Sequence, residues 1–537
     1  MQTLPSDRPV ESTDDGELPR SVVIATMAGV IAAMLMGALD NTIVGTAMPR
    51  VIAELHGFEH YAAVTTVYML TSTVVVPIAG KLSDIYGRKA FLLSGVGIFV
   101  VGSVLCGASE SMMQLVLFRG LQGIGGGLAQ GMAFTTIADL FPPAKRGRIG
   151  GLMGSIFGIA SIIGPAAGGF LTDGPGWRWC FWVNIPVGVL AFLVLLFAFP
   201  AKRRAAGPAP AIDYLGALTL VCSATPLLLA LSWGGRDYAW SSPLIIAMLG
   251  GGVFMAVAFF LVERKAAGAI IPPRLFKNRI IAASAAGATL MAVGMFGALI
   301  FIPLFMQGVV GTSATKSGTV MTPMMVAIIA SSIAAGQIMT KTERYKWLAV
   351  VGASVVTGGV VLLGTMTIDT DYTGVLVRMI VVGIGLGMTM PVFNLAAQNA
   401  VDIREVGVAT SSLQFLRQLG GSVGAAIFGA IMTNRFIDSF HGALTPEVVA
   451  KVSPEALTQF ENPQVLMNVA AQEQLKSGAL ADVLPQLLLA VKTALASSLH
   501  TLFIACAAIT SLTIVATLLL KDMPLRKSNR AGPPPTE

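Results

Sequence analysis

Charge is what this sequence has least of. Of 537 residues only 12% are Asp, Glu, Lys or Arg, while 54% are hydrophobic and the mean hydropathy is +0.76. Soluble domains carry about one-quarter charged residues, so half of the usual charged exterior is missing. A soluble enzyme, a nucleic-acid binder and a disordered chain are excluded together. Cysteine is equally sparse. Cys106, Cys180, Cys222 and Cys506 lie in or beside apolar stretches without paired spacing, which argues against both a disulfide framework and a metal cluster. His56, His60, His441 and His500 form no HExxH pattern. A phosphate-binding loop is absent too: the segment from Gly311 to Ser317 lacks the second glycine and has the wrong spacing. The chain therefore implies no metal, no cofactor and no ATP, and its nearest partner is a lipid bilayer.

What remains is a series of continuous apolar runs. A hydrocarbon core of ~30 Å needs roughly 20 helical residues, and the runs do not alternate as barrel strands would. Fourteen helices are expected: 21–48, 62–82, 90–108, 112–138, 149–171, 180–200, 213–232, 243–262, 280–305, 317–339, 347–367, 374–399, 408–434 and 496–520. The first follows an acidic tail and contains an aspartate, so it does not read as a cleaved leader. An even count puts both termini on one side. That side carries 24 of the 35 basic residues, the other carries eight, and Arg119, Arg378 and Arg417 fall inside spans. The positive-inside rule makes both termini cytoplasmic. The net charge of +7 is thereby explained by topology, without an anionic partner.

Two halves echo one another at a shift of eight helices. Gly80, Asp84, Gly87 and Arg88 close span 2, and Gly336 with Arg344 closes span 10. Arg119 precedes a glycine run in span 4, as Arg378 does in span 12. The expected organisation is a cytoplasmic N-tail (1–20), a six-helix lobe (21–200) and a linker with two inserted central spans (201–279). A second six-helix lobe (280–520) and a cytoplasmic C-tail (521–537) follow. Residues 435–495 read as one long outer loop, solvated in preference to forming a small cap. Paired repeats around a midplane site are the layout of secondary transporters.

The chemistry rests on exceptions to apolarity. Asp40 is the one acid deep inside a span, where a lone carboxylate costs about 3 kcal/mol or more to keep charged, so it is a candidate proton or cation site. Arg119, followed by Gln122, is a candidate member of a buried polar network. Arg378 and Arg417 read equally as network members or as guanidiniums paired with carbonyls. The turn from Gly80 to Lys89 offers Asp84 as a docking point for a helix N-terminus or an arginine. Gly164 and Pro165 interrupt the hydrogen-bond ladder of span 5.

These residues resemble the major facilitator superfamily, and within it the fourteen-span drug:proton antiporters of the QacA/EmrB-like branch. The segment Leu39 to Pro49 is similar to the span-1 signature, Gly80 to Lys89 to the loop 2–3 motif, and Arg119 to Gly123 to the span-4 motif. Gly164, Pro165, Gly168 and Gly169 resemble the antiporter motif. Trp177 to Pro186, Asp213 to Gly216 and Ala396 to Ala400 resemble markers of the fourteen-span branch. The likeness covers roughly residues 25–520.

The resemblance implies a proton-coupled exporter of hydrophobic or cationic compounds, acting by alternating access as a monomer in a bacterial cytoplasmic membrane. Asp40 would exchange protons and Arg119 would couple them to the substrate cavity. Asp84, Arg88 and Asp139, with Gly80 and Gly87, would form a cytoplasmic latch. The second-lobe copy has Thr340 for Asp84 and Glu343 for Gly87, so the latch should be one-sided. Without acids in spans 10 and 13, monovalent cations or neutral amphiphiles are favoured over dications. Tyr68, Gln122, Gln130, Gln307, Asn394 and Gln398 are candidates for the cavity wall. Export of an endogenous metabolite, lipid, siderophore or amino acid is the alternative reading, and a passive channel a weaker one.

Overall fold

A computed structural model of the chain describes residues 19–55, 61–200, 212–235, 237–312, 314–402, 405–446, several positions between 448 and 466, and 483–523. Most of both tails and the basic linker at 201–211 lie outside the described residues. Fourteen long helices dominate: α1 (Arg20–Leu55), α2 (Tyr61–Tyr86), α3 (Arg88–Gly107), α4 (Met112–Leu140), α5 (Pro143–Asp173), α6 (Trp179–Ala198) and α7 (Tyr214–Trp233). They continue with α8 (Pro243–Lys265), α9 (Arg279–Gly308), α10 (Met321–Thr342), α11 (Lys346–Gly364), α12 (Tyr372–Asn399), α13 (Val406–Ala443) and α14 (Leu484–Leu518). The chain is an all-helical membrane protein.

Thirteen of these helices are long and apolar enough to cross a bilayer; α4 is the exception. Its 29 residues include Arg119, Gln114, Gln122, Gln130 and a run of glycines. It is sheltered by α1, α2 and α3. A helix so enclosed does not need an apolar exterior, and its glycines let neighbouring backbones approach closely.

Helices α1–α6 pack among themselves, as do α9–α14, and the two groups meet along two seams, α2 with α13 and α5 with α10. The inserted pair α7–α8 packs against the first seam, where Leu220, Ala224 and Leu228 share an apolar cluster with Val74 of α2 and Phe415 of α13. The end of the bundle bearing Arg20 and Leu518 is the termini end; the other is the far end.

The long outer loop is shorter than its apolar profile suggests. Helix α13 extends to Ala443 and α14 begins at Leu484, so 435–443 and 484–495 are helical. At 38 residues α13 is about 57 Å long, nearly twice the hydrocarbon thickness, and its last turns are amphipathic. Phe436, Phe440 and Phe460 pack with Leu484, Leu487 and Val491, and the His441 ring lies 2.8 Å from Glu461. The apolar stripe that holds these turns together is too dilute to register as a span. The result is a small apolar cap at the far end.

Close approach of α1 and α5 depends on small residues. A Cβ at Gly164 would collide with Thr42 and one at Gly168 with Thr46, while one at Gly169 would meet open space. Thr42 Oγ1 donates across the same contact to Ala160 O at 3.1 Å. Helix α5 continues through Pro165, which supplies no N–H to the carbonyl one turn earlier. Overpacking such a contact costs about 1–3 kcal/mol. Gly168→Leu is therefore expected to lower the thermal midpoint of the detergent-solubilised protein, and Gly169→Leu to leave it unchanged.

Candidate functional site

The site is assembled from three helices remote in sequence. α1 brings Asp40, α4 brings Arg119 and Gln122, and α6 brings Asn184. Arg119 Nη1 donates to Asp40 Oδ2 at 2.5 Å and to Gln122 Oε1 at 2.6 Å. Gln122 Nε2 donates to Asp40 Oδ1 at 2.8 Å, and Asn184 Nδ2 donates to the same oxygen at 3.0 Å. Ser103 of α3 accepts from Gln122 at 2.8 Å. Tyr68 lies under the guanidinium, 4.1 Å from ring centroid to Cζ. Asp40 is 0% and Arg119 1% exposed, so the pair has no direct contact with solvent. Both carboxylate oxygens are bonded, and the charges cancel locally.

Asn184 and Ser103 were not singled out from sequence as members of this network. Asn184 lies in the Trp177 to Pro186 segment that resembles a branch marker, but nothing local pairs it with Asp40. Tyr68 and Gln122, expected on the cavity wall, are buried inside the network. Both are polar groups that a buried ion pair needs nearby, and that need places them there.

A second cluster lies at the termini end. Arg88 Nη2 is 2.7 Å from Asp84 Oδ1, and Arg88 Nε is 2.5 Å from Asp139 Oδ2. The other oxygen of Asp84 accepts from the backbone N–H of Val408 at 3.1 Å. Helix α13 has no side-chain cap of its own, so a carboxylate from the opposite lobe satisfies one of its free N–H groups and meets its positive end. Gly87 has φ +95°, the left-handed region that lets α2 turn at once into α3. Gly80 abuts Ser411, where a Cβ would not fit.

Arg146, near the start of α5, is buried. It donates to Phe141 O and Ala138 O at 2.8 Å each and reaches Gln398 Oε1 of the opposite lobe at 3.4 Å. Gln398, another cavity candidate, also donates to Thr410 at 3.1 Å, so it stands at the seam near the termini end. Gln307 donates to Ser317 at 3.0 Å. Gln130 is half-buried on α4. Asn394 lines a crevice with Arg417. Arg378 donates to Leu362 O and Gly374 O, both at 2.8 Å. Among the described residues no group of acids, histidines and cysteines is placed to hold a metal ion.

Residues 30–425 match the family described as Major Facilitator Superfamily. The chain belongs to the major facilitator superfamily. It is a membrane transporter, not an enzyme.

The Bacillus subtilis multidrug transporter protein MdtP is 39% identical over 533 residues, 97% of this chain and 96% of that protein. Multidrug resistance protein 3 of the same organism is 38% identical, covering 85% of this chain and 88% of its own. The Penicillium rubens efflux pump roqT is 30% identical over 99% of this chain and 97% of its own. The fold is similar to that of the human organic anion transporter MFSD10, with a TM-score of 0.57 at 13% identity. That likeness covers 91% of this chain and 99% of the human one.

For this facilitator the buried ion pair sets a clear expectation. Removing one member of such a pair strands the other and costs about 3–5 kcal/mol. Arg119→Gln alone is expected to lower the thermal midpoint more than the double variant Asp40→Asn with Arg119→Gln. A double variant less stable than the single one would contradict the pairing.

Proposed function

We propose that this protein is a proton-coupled exporter of hydrophobic small molecules, working by alternating access as a monomer in a bacterial cytoplasmic membrane with both termini inside. The observation that carries the reading is the burial of Asp40 in the bilayer zone against Arg119. A charge there is expensive and is held by one guanidinium and two amides. A proton delivered to Asp40 from the far side cancels the carboxylate's charge and weakens its hold on Arg119. The freed guanidinium then needs a new partner, which links proton uptake to rearrangement of α1, α4 and the cavity they border. The names of the multidrug relatives support the substrate type.

The second element is the cytoplasmic latch. With Asp84 capping α13 and Arg146 reaching Gln398, the seam is closed at the cytoplasmic end, and proton loss or substrate release inward requires these contacts to part. One charge crossing 100 mV is worth about 2.3 kcal/mol, comparable to a few such contacts, so the proton cycle is strong enough to work them.

Two experiments test this reading. In proteoliposomes with an imposed pH gradient, Asp40→Asn is expected to abolish uphill export of a dye substrate. Undiminished uphill export would refute the role given to Asp40. For the latch, Asp84→Ala is expected to widen the distance between spin labels at the cytoplasmic ends of α2 and α13. An unchanged distance distribution would remove Asp84 from the gate.

A further inference from the structure

Three arginines lie within the spans, and two have evident partners. Arg119 closes on Asp40, and Arg378 is spent on backbone carbonyls near the far end of α12. Arg417 is different. Its Nη1 lies 3.3 Å from the sulfur of Met390, and among the described residues no carboxylate stands within ion-pair distance of it. The Asp40–Arg119 pair is neutral as a unit. The guanidinium of Arg417 therefore remains as an uncompensated positive charge in the bundle interior, a costly arrangement that marks substrate or ion paths in membrane proteins.

Its surroundings mix polar and apolar side chains. Arg417 lines a crevice between α9, α12 and α13 with Met291, Met390, Phe393, Asn394 and Gln414. Two amides share the crevice with the guanidinium, and Ala288, Met291, Met390, Phe393 and Leu413 form its apolar wall. The crevice begins just beyond the closed seam. Ser411, which abuts Gly80, is six residues earlier on the same helix, about 9 Å along its axis. Its present volume is about 10 Å³, room for about one water. Flexible methionines are the side chains best able to enlarge such a space around a ligand.

We infer that Arg417 is the anion-recognition group of the substrate cavity, so the exporter takes amphiphiles bearing a carboxylate or sulfonate in preference to permanent cations. A planar guanidinium grips such a group through two parallel hydrogen bonds, and Asn394 and Gln414 add amide donors. The apolar body of the ligand lies against Phe393, Met291 and Met390. A permanent cation meets an unpaired like charge instead. This revises the expectation of monovalent cations or neutral amphiphiles over dications, which was drawn from the missing acids of spans 10 and 13 and did not weigh the charge of Arg417. The inference rests on the exporter reading for its biological sense, but the binding it describes does not require transport.

The test uses the full-length protein in lipid nanodiscs without a gradient and three fluorescent probes. Anilinonaphthalene sulfonate is the anion, N-phenyl naphthylamine the same ring system without charge, and ethidium the cation, each corrected for binding to empty nanodiscs. Wild-type protein is expected to bind the sulfonate more tightly than the uncharged analogue or ethidium. Arg417→Gln is expected to weaken sulfonate binding about tenfold, the loss of one charged contact, and to leave the uncharged probe unchanged. Arg417→Lys is expected to recover part of the loss.

Equal weakening of both aryl probes, no weakening of either, or a wild-type preference for ethidium would overturn the inference. The wild-type probe order stands as evidence even if Arg417→Gln fails to fold. Failure of export with Arg417-dependent sulfonate binding intact would count against the exporter reading alone.

Discussion

A charge inside a bilayer must be partnered, and the ion pair of Asp40 and Arg119 is where this chain meets that demand most fully. The carboxylate is satisfied on both oxygens by groups from α4 and α6, the guanidinium by Asp40, Gln122 and the face of Tyr68. This arrangement draws α1, α4 and α6 to one point and accounts for a long helix without a sufficiently apolar window packing among α1, α2 and α3. It is also a reversible bond: a single proton on the carboxylate changes its balance.

The latch at the termini end uses the same physics at lower stakes. Asp84 is held by Arg88 and caps a helix of the opposite lobe. The share of Asp84 in the bond between lobes is thus one accepted N–H plus attraction to a helix end, and each such element is worth about 1–2 kcal/mol. That is strong enough to define a closed seam and weak enough to part. Glycines set the distance. Where Gly80 meets Ser411, and where Gly164 and Gly168 meet Thr42 and Thr46, the absent Cβ lets two backbones approach.

The inserted pair α7–α8 covers the α2–α13 seam rather than joining either lobe's core, with Val74, Leu220 and Phe415 in one apolar cluster. The seam between α5 and α10 has no such cover among the described helices. The two seams are therefore unequal in their surroundings.

Local composition was enough to identify the solvent, the fourteen long helices, and where the exceptional residues sit along each one. Hydropathy is a local property, and a helix in lipid satisfies its own backbone, so every span except α4 can be recognised by apolarity without its neighbours. Motifs confined to one turn, such as Gly80 to Lys89, were legible for the same reason. Partnership was not. Asp40 finds Arg119 at 79 positions' separation and Asn184 at 144, and no local pattern records such a meeting. Only the tertiary structure drew Gln122 and Tyr68 into the ion-pair network and buried Arg146 across a seam. It alone extended α13 and α14 into a cap and left Arg417 without a counter-charge among the described residues, because burial and pairing depend on which helices pack together.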